Sequence, residues 1–130
     1  MKLKLKAVGL FVKAMHTLVT FWRDVVGMDI KWDGQDPSVI TPVGNVRFMR
    51  FGRKDFEPMS STSFTYPESR SGSSQLALCA GSEADVHVEY ERMVGLGATP
   101  ITQPKKCLWG LEKCLYYWYP GQCHRDRHVV

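Results

Sequence analysis

The chain has no apolar run approaching the roughly 18 residues that a membrane-crossing helix requires. A membrane partner is therefore not expected. It also lacks a dominant charge: 17 Lys and Arg stand against 13 Asp and Glu, for a net charge of +4. That balance permits nucleic-acid binding without arguing for it. No basic stripe is interleaved with aromatics as a single-strand platform would need, so nucleic acid is not an expected partner. Nothing suggests disorder either, because 44% hydrophobic and 23% charged residues are ordinary for a globular protein. A phosphate-cradling glycine loop is missing. Gly95-Leu96-Gly97 has no third glycine and follows a helical pattern instead of a strand. Secretory features are missing too. The opening MKLKLKAVGLFVK has only the short apolar stretch Ala7–Val12, then Lys13, and no small-residue cleavage site. It reads as a strand of a cytoplasmic protein, with Lys2, Lys4 and Lys6 on a solvent face. The four cysteines are accordingly expected to be free thiols.

What is present is periodicity. The 130 residues predict a single domain spanning 1–130. Met15, Leu18, Val19, Trp22 and Val26 recur at the spacing of one buried helix face, and Gly27 comes next as a left-handed cap. Met28–Trp32, Ser38–Thr41 and Val46–Gly52 read as strands, separated by turns at Asp33-Gly34 and Pro42-Val43-Gly44-Asn45. Together these make a first βαβββ repeat over about 1–55. Phe56–Ser74 is rich in Ser, Pro, Thr and Gly, lacks a steady period and reads as a long connection. A second repeat then covers about 75–130, opening with a strand at Gln75–Cys79. Ser82 with Asp85 resembles a capping box, and Val86, Tyr90, Met93 and Val94 form a helix face ending at Gly95.

The halves superpose at an offset of 68 residues. Gly27 falls on Gly95, Trp22 on Tyr90, Leu18 on Val86 and Leu10 on Leu78. A repeat at constant spacing indicates two βαβββ units packed as a pseudo-symmetric pair.

Phe21-Trp22-Arg23-Asp24-Val25-Val26-Gly27-Met28 resembles the FYRDVLGM helix end of the glyoxalase/bleomycin-resistance family, within the vicinal oxygen chelate superfamily. Tyr90-Glu91-Arg92-Met93-Val94-Gly95-Leu96-Gly97-Ala98-Thr99-Pro100 resembles its second-repeat counterpart YERLVALGATP. Trp109-Gly110 matches a common PWG turn, with Leu108 in place of proline. The resemblance covers about residues 3–118. It implies an α+β fold in which two βαβββ repeats form a curled, mostly antiparallel eight-stranded sheet around a cavity, and usually a homodimer.

Enzymes of that superfamily hold a divalent metal through one donor from each first strand and one from each last strand. Aligned to that scheme, the first-strand positions are Ala7 and Gln75, and the first repeat's last-strand position falls near Phe48. Alanine and phenylalanine offer no oxygen or imidazole donor. The fourth donor should be a Glu in a C-terminal DPxGNxxEI strand, where this chain reads Tyr119-Pro120-Gly121-Gln122-Cys123-His124-Arg125-Asp126-Arg127-His128-Val129-Val130. Advancing the codons of Gly121–His128 by one base admits G-N-[AV]-I-E-I-G. The expectation is that the last strand is disrupted by a frameshift and replaced by out-of-frame residues. No metal or other cofactor is expected. Cys123, His124, His128, Cys107 and Cys114 fit no zinc spacing, and His16 and His87 read as helix-surface histidines.

The aromatics Trp32, Phe48, Phe51, Trp109, Tyr117 and Trp118 fall mostly on expected strands. With Arg50 and Gln75 they would build a π-rich pocket. The expected ligand-binding residues are thus Phe48, Arg50, Gln75, Trp109 and Tyr117. A cavity-facing arginine favours an anionic or carbonyl-bearing ligand, although a slip of one residue would turn it to the other face. The function expected is metal-independent binding or sequestration of a small planar or aromatic ligand, by a cytoplasmic homodimer. The alternatives are a metal-dependent lyase, isomerase or dioxygenase with an incomplete ligand set, and a non-catalytic interaction module.

Overall fold

The lysine-rich opening is not yet a strand. Leu3 and Leu5 are exposed along with the lysines, and the first ladder begins at β1 (Ala7–Val12). The computed structural model describes residues 2–66, 75–100, 103–104 and 114–118. Within them the chain is α+β with a mixed, unclosed sheet. It divides into two compact units, Met1–Tyr66 and Pro67–Val130. No described helix is long and apolar enough to cross a membrane.

In the first unit, β1 is followed by α1 (Met15–Thr20), which runs directly into a π-helical turn at Phe21–Val26. The widened turn alters the expected helix face. Phe21 and Trp22 are both buried, and Val26 is only half-buried. A strict 3.6-residue repeat would have kept Trp22 and Val26 on one line, and the i→i+5 turn breaks that phase. Gly27 closes the turn at φ +90°, donating its N–H to the Trp22 carbonyl, as a left-handed cap requires.

The expected strand Met28–Trp32 does not form. Ile30 is buried, but this stretch joins no ladder. Local bonds organise the segment between Trp32 and Ser38. Asp33 Oδ1 accepts from the N–H groups of Gln35 and Asp36, and the Trp32 indole donates to the Asp36 carbonyl. An aspartate that bonds its own backbone two residues on competes with strand pairing.

β2 (Ser38–Val43) and β3 (Val46–Gly52) form a hairpin across Gly44-Asn45, with Gly44 at φ +58°. Positive φ at the first loop position is what a two-residue II′ turn needs. β2 runs two residues further than expected, through Pro42. The sheet order is β1-β3-β2, with β1 parallel and β2 antiparallel to the central β3. Proline is tolerated because β2 is an edge strand among the described residues. Arg47, opposite Pro42, donates its N–H towards β1, to the Lys6 carbonyl. The 42–47 pair is therefore non-hydrogen-bonded, and the missing proline donor lies on the outer edge.

The expected connection from Phe56 onward begins inside a helix, α2 (Arg53–Ser60), which ends with Ser61 in the left-handed region. Serine and proline content concealed two anchors. Phe56 stacks on Phe11 at 4.3 Å, and Phe64 lies 6.2 Å from the same ring. Arg53 ties the helix to β1 by donating to the Phe11 carbonyl.

In the second unit, β4 (Gln75–Cys79) pairs antiparallel with β5 (Cys114–Trp118). α3 (Glu83–Gly95) buries Val86 and Met93. Its N-cap is the expected one: Ser82 Oγ accepts from the Asp85 N–H at 3.2 Å. β1 and β4 start 68 residues apart, as do α1 and α3, although the positive-φ glycine after α3 is Gly97 instead of Gly95. The free-thiol expectation is corrected at Cys79, which is disulfide-bonded. The register of β4 and β5 sets Cys79 opposite Cys114. The expected turn at Trp109-Gly110 and the suspect tail after Trp118 lie outside the described residues.

Stability measurements on three variants check these assignments. A Cβ at Gly27 would meet nothing within 4 Å, so Gly27→Ala should cost only the left-handed backbone penalty, about 1 kcal/mol in urea denaturation. Gly9 has the same open space on ordinary strand backbone, so Gly9→Ala should be neutral or stabilise by less than about 1 kcal/mol. Ser82→Ala, which removes the cap of α3, should lower stability by about 1 kcal/mol.

Candidate functional site

The three-stranded sheet of the first unit has two unlike faces, set by strand alternation. On one face lie Leu10 and Val12 of β1, Phe48 and Arg50 of β3, and Val39 and Thr41 of β2. The helical segment covers it, with Trp22 edge-on to Phe48 at 5.4 Å and 72°. The other face carries Ala7, Gly9 and Phe11 of β1 beside Arg47, Met49 and Phe51 of β3, with Pro42 and Ile40 of β2 alongside.

Two expected site residues, Phe48 and Arg50, therefore stand together on the helix-covered face. Phe48 is buried at 7% exposure, and Arg50 is completely buried. The Arg50 guanidinium lies 4.5 Å from the Phe48 ring centroid, and Nη2 donates to Thr41 Oγ1 at 2.6 Å. Nε and Nη1 have no hydrogen-bond partner among the described residues. Burial pushes the Arg50 pKa down to about 10, so the side chain is still a cation at neutral pH. Desolvating such an ion costs several kcal/mol. A buried cation–π contact returns about 2 kcal/mol, and one hydrogen bond from a charged donor roughly 1.5–3 kcal/mol. The charge is thus only partly compensated.

The opposite face is more open. At one end Phe11, Phe51, Phe56 and Phe64 form a cluster, with Phe51 and Phe56 at 5.8 Å and Phe56 and Phe64 at 5.9 Å. In the middle, Gly9 is exposed and a Cβ there would meet nothing within 4 Å. At the far end Arg47 is exposed beside Ala7. The result is an apolar floor with an aromatic wall at one end and a cation at the other. Arg47, Gly9, Phe56 and Phe64 were not anticipated as a group. For Gly9 and Arg47 the signal that would have found them is strand parity, since the residues of β1 and β3 sharing a face with Ala7 are the odd-numbered ones; Phe56 and Phe64 carry no such signal.

That parity also tests the fit of a divalent cation. The first-strand position is Ala7, and its register partner is Arg47, followed on the same face by Met49. A methyl group, a guanidinium and a thioether supply no hard donor, and the guanidinium repels a cation. The first unit's half of the site does not fit a metal. Among the described residues there is also no group of three or more His, Cys, Asp or Glu able to hold one.

Gln75 opens β4 opposite Trp118, and Tyr117 stands opposite Leu76. The side chains of Gln75 and Tyr117, and all of Trp109, lie outside the described residues. Trp32 instead lines a separate open groove of about 580 Å³ with Lys31, Asp33, Asp36 and Ser38. Its acids are committed to the local turn: the Gln35 and Asp36 amides hold the Asp33 carboxyl below the usual carboxylate range, and Asp36 accepts from Ser38. His16 and His87 are exposed.

Comparison with known proteins agrees with the fold. No curated protein matches the chain in sequence. Among solved structures, the chain is similar to a glyoxalase-related enzyme from Fulvimarina pelagi, with a TM-score of 0.72 at 16% identity, over 97% of this chain and 86% of that one. It is also similar to a glyoxalase/bleomycin resistance protein/dioxygenase from Nocardioides, with a TM-score of 0.71 at 12% identity, over 99% and 82% of the two chains. At such identities the likeness is one of fold. The family model for the glyoxalase-like domain matches residues 7–115. That match takes in both units, from the first residue of β1 into β5, and the chain belongs to the glyoxalase-like domain family.

Proposed function

We propose that this chain is a metal-independent small-molecule-binding protein of the glyoxalase/bleomycin-resistance type, which sequesters a planar aromatic ligand. The observation that carries the reading is the Ala7–Arg47 register pair, where a metal-dependent relative would need hard donors. The same pair suggests how a ligand is held. A ring rests over Gly9 against Phe11 and Phe51, and an anionic or carbonyl group reaches Arg47. In this reading the two units are βαβββ repeats of one curled eight-stranded sheet, the working form is a cytoplasmic homodimer, and the residues from Gly121 on are out of frame.

The reading is tested on the purified protein. Elemental analysis should find no stoichiometric divalent metal. A thermal-shift screen with planar aromatic carboxylates and their neutral analogues should single out the carboxylates. A ligand at 100 times its Kd adds about 2.7 kcal/mol, a shift of several degrees in a domain of this size. Gly9→Phe, which fills the open floor, should abolish the shift, and Arg47→Gln should weaken it about tenfold. A retained divalent metal, with turnover in an aldehyde–thiol panel, would overturn the proposal in favour of a lyase, isomerase or dioxygenase. Resequencing the source gene checks the tail: a one-base shift ahead of the Gly121 codon is expected, and an intact frame would refute it.

A further inference from the structure

We infer that Cys79 and Cys114 form a thiol-exchange site, a cross-strand disulfide that a low-molecular-weight thiol opens by attack at Cys79 and that clasps β5 to β4 only while oxidised. This goes beyond the proposed function, whose ligand contacts all lie in the first unit. Either can fail without the other.

Cys79 is disulfide-bonded. It is the last residue of β4, and the antiparallel register sets it opposite Cys114, the first residue of β5. Residues directly opposite in such a ladder have Cα atoms about 4.5–5.5 Å apart. That lies inside the roughly 4.4–6.8 Å a disulfide spans. The ladder thus brings the two residues within bridging range in either oxidation state, and the bond can open and close without a new backbone path.

Access sets this bond apart from a permanent cross-link. Cys79 is exposed, whereas Leu76 and Leu78, at the alternate positions of β4, are half-buried. Exchange begins when a thiolate reaches one sulfur, and exposed disulfides are the labile ones. The thiolate of the small thiol attacks Cys79 Sγ, the protein S–S bond breaks, and the electron pair leaves on the Cys114 sulfur, which takes a proton. A second small thiol attacks the resulting mixed disulfide and releases Cys79. Two small thiols are thereby oxidised to their disulfide as the protein disulfide is reduced to two thiols. Excess small disulfide drives the same steps in reverse.

The clasp has leverage because of where it sits. Cys79 and Cys114 are 35 residues apart in sequence, and the loop they close contains α3. Closing a loop of that length restricts the unfolded chain strongly. The ladder itself is five register pairs long, so a covalent link at its end is a large part of what holds β5 in place.

The experiment uses the full chain. Peptide mapping by mass spectrometry without reductant should find Cys79 cross-linked to Cys114. Reduced glutathione at millimolar concentration should open the bond in the folded protein, and oxidised glutathione should restore it. Reduction should lower Tm by on the order of 10 °C. Cys114→Ser should melt with the reduced wild type and, given oxidised glutathione, should carry the adduct at Cys79. The inference is overturned by a cross-link from Cys79 to Cys107 or Cys123, or by a bond that glutathione opens only after unfolding. An unchanged Tm on reduction would overturn it equally. Should Cys114→Ser fail to fold, the mapping and the wild-type glutathione titration decide alone.

Discussion

Trp22 meets Phe48 edge-on, and that contact decides which side of the first sheet is interior. β3 is the central strand, paired to β1 on one side and β2 on the other. Its alternation therefore governs both neighbours through their registers. Once Phe48 is committed to the helix, Arg50 must go inward with it, and Arg47, Met49 and Phe51 must turn the other way. The partly compensated buried cation, the open apolar floor and the placement of Arg47 beside Ala7 all descend from this one choice. A register slip of one residue would exchange the two faces and bury Arg47 in place of Arg50.

Much of this architecture is legible in the residues. The helix after Met15, the left-handed Gly27, the Ser82 cap and the 68-residue offset of the first strands and helices need only periodicity and capping chemistry. Other parts depend on contacts that no local pattern encodes. The π-helical turn results from burying two adjacent aromatics, Phe21 and Trp22, where periodicity offers one. α2 is held by Phe56 and Phe64 reaching Phe11 across the fold, amid residues whose composition reads as loop. Met28–Trp32 alternates like a strand, but only Ile30 finds a buried place and the Asp33 turn takes the chain elsewhere. The facing of Phe48 and Arg50 is the hardest case. Both parities of β3 carry a large apolar residue and an arginine, so the strand's own sequence does not distinguish them.

The same parity bears on which chemistry a shared scaffold can carry. Ligand positions in a sheet-lined cavity sit on neighbouring strands of one face, so a metal requires matched donors at register partners. Here the partners are Ala7 and Arg47. A methyl group supplies no donor, and a guanidinium repels a cation. The pair therefore lacks the hard donors a divalent metal needs, while the fold stays as the family has it.

Pro42 has a bearing on association. Its missing N–H lies on the outer edge of β2, where Ile40 and Val43 leave apolar surface exposed. An edge strand with such side chains is a ready template for sheet-to-sheet pairing, the usual route to aggregation. The absent donor interrupts that template near the end of the strand. An incoming chain would have to leave one of its own carbonyls unbonded against Pro42 or bulge around it. The residue that ends the ladder outward therefore also works as a guard against self-association through this edge.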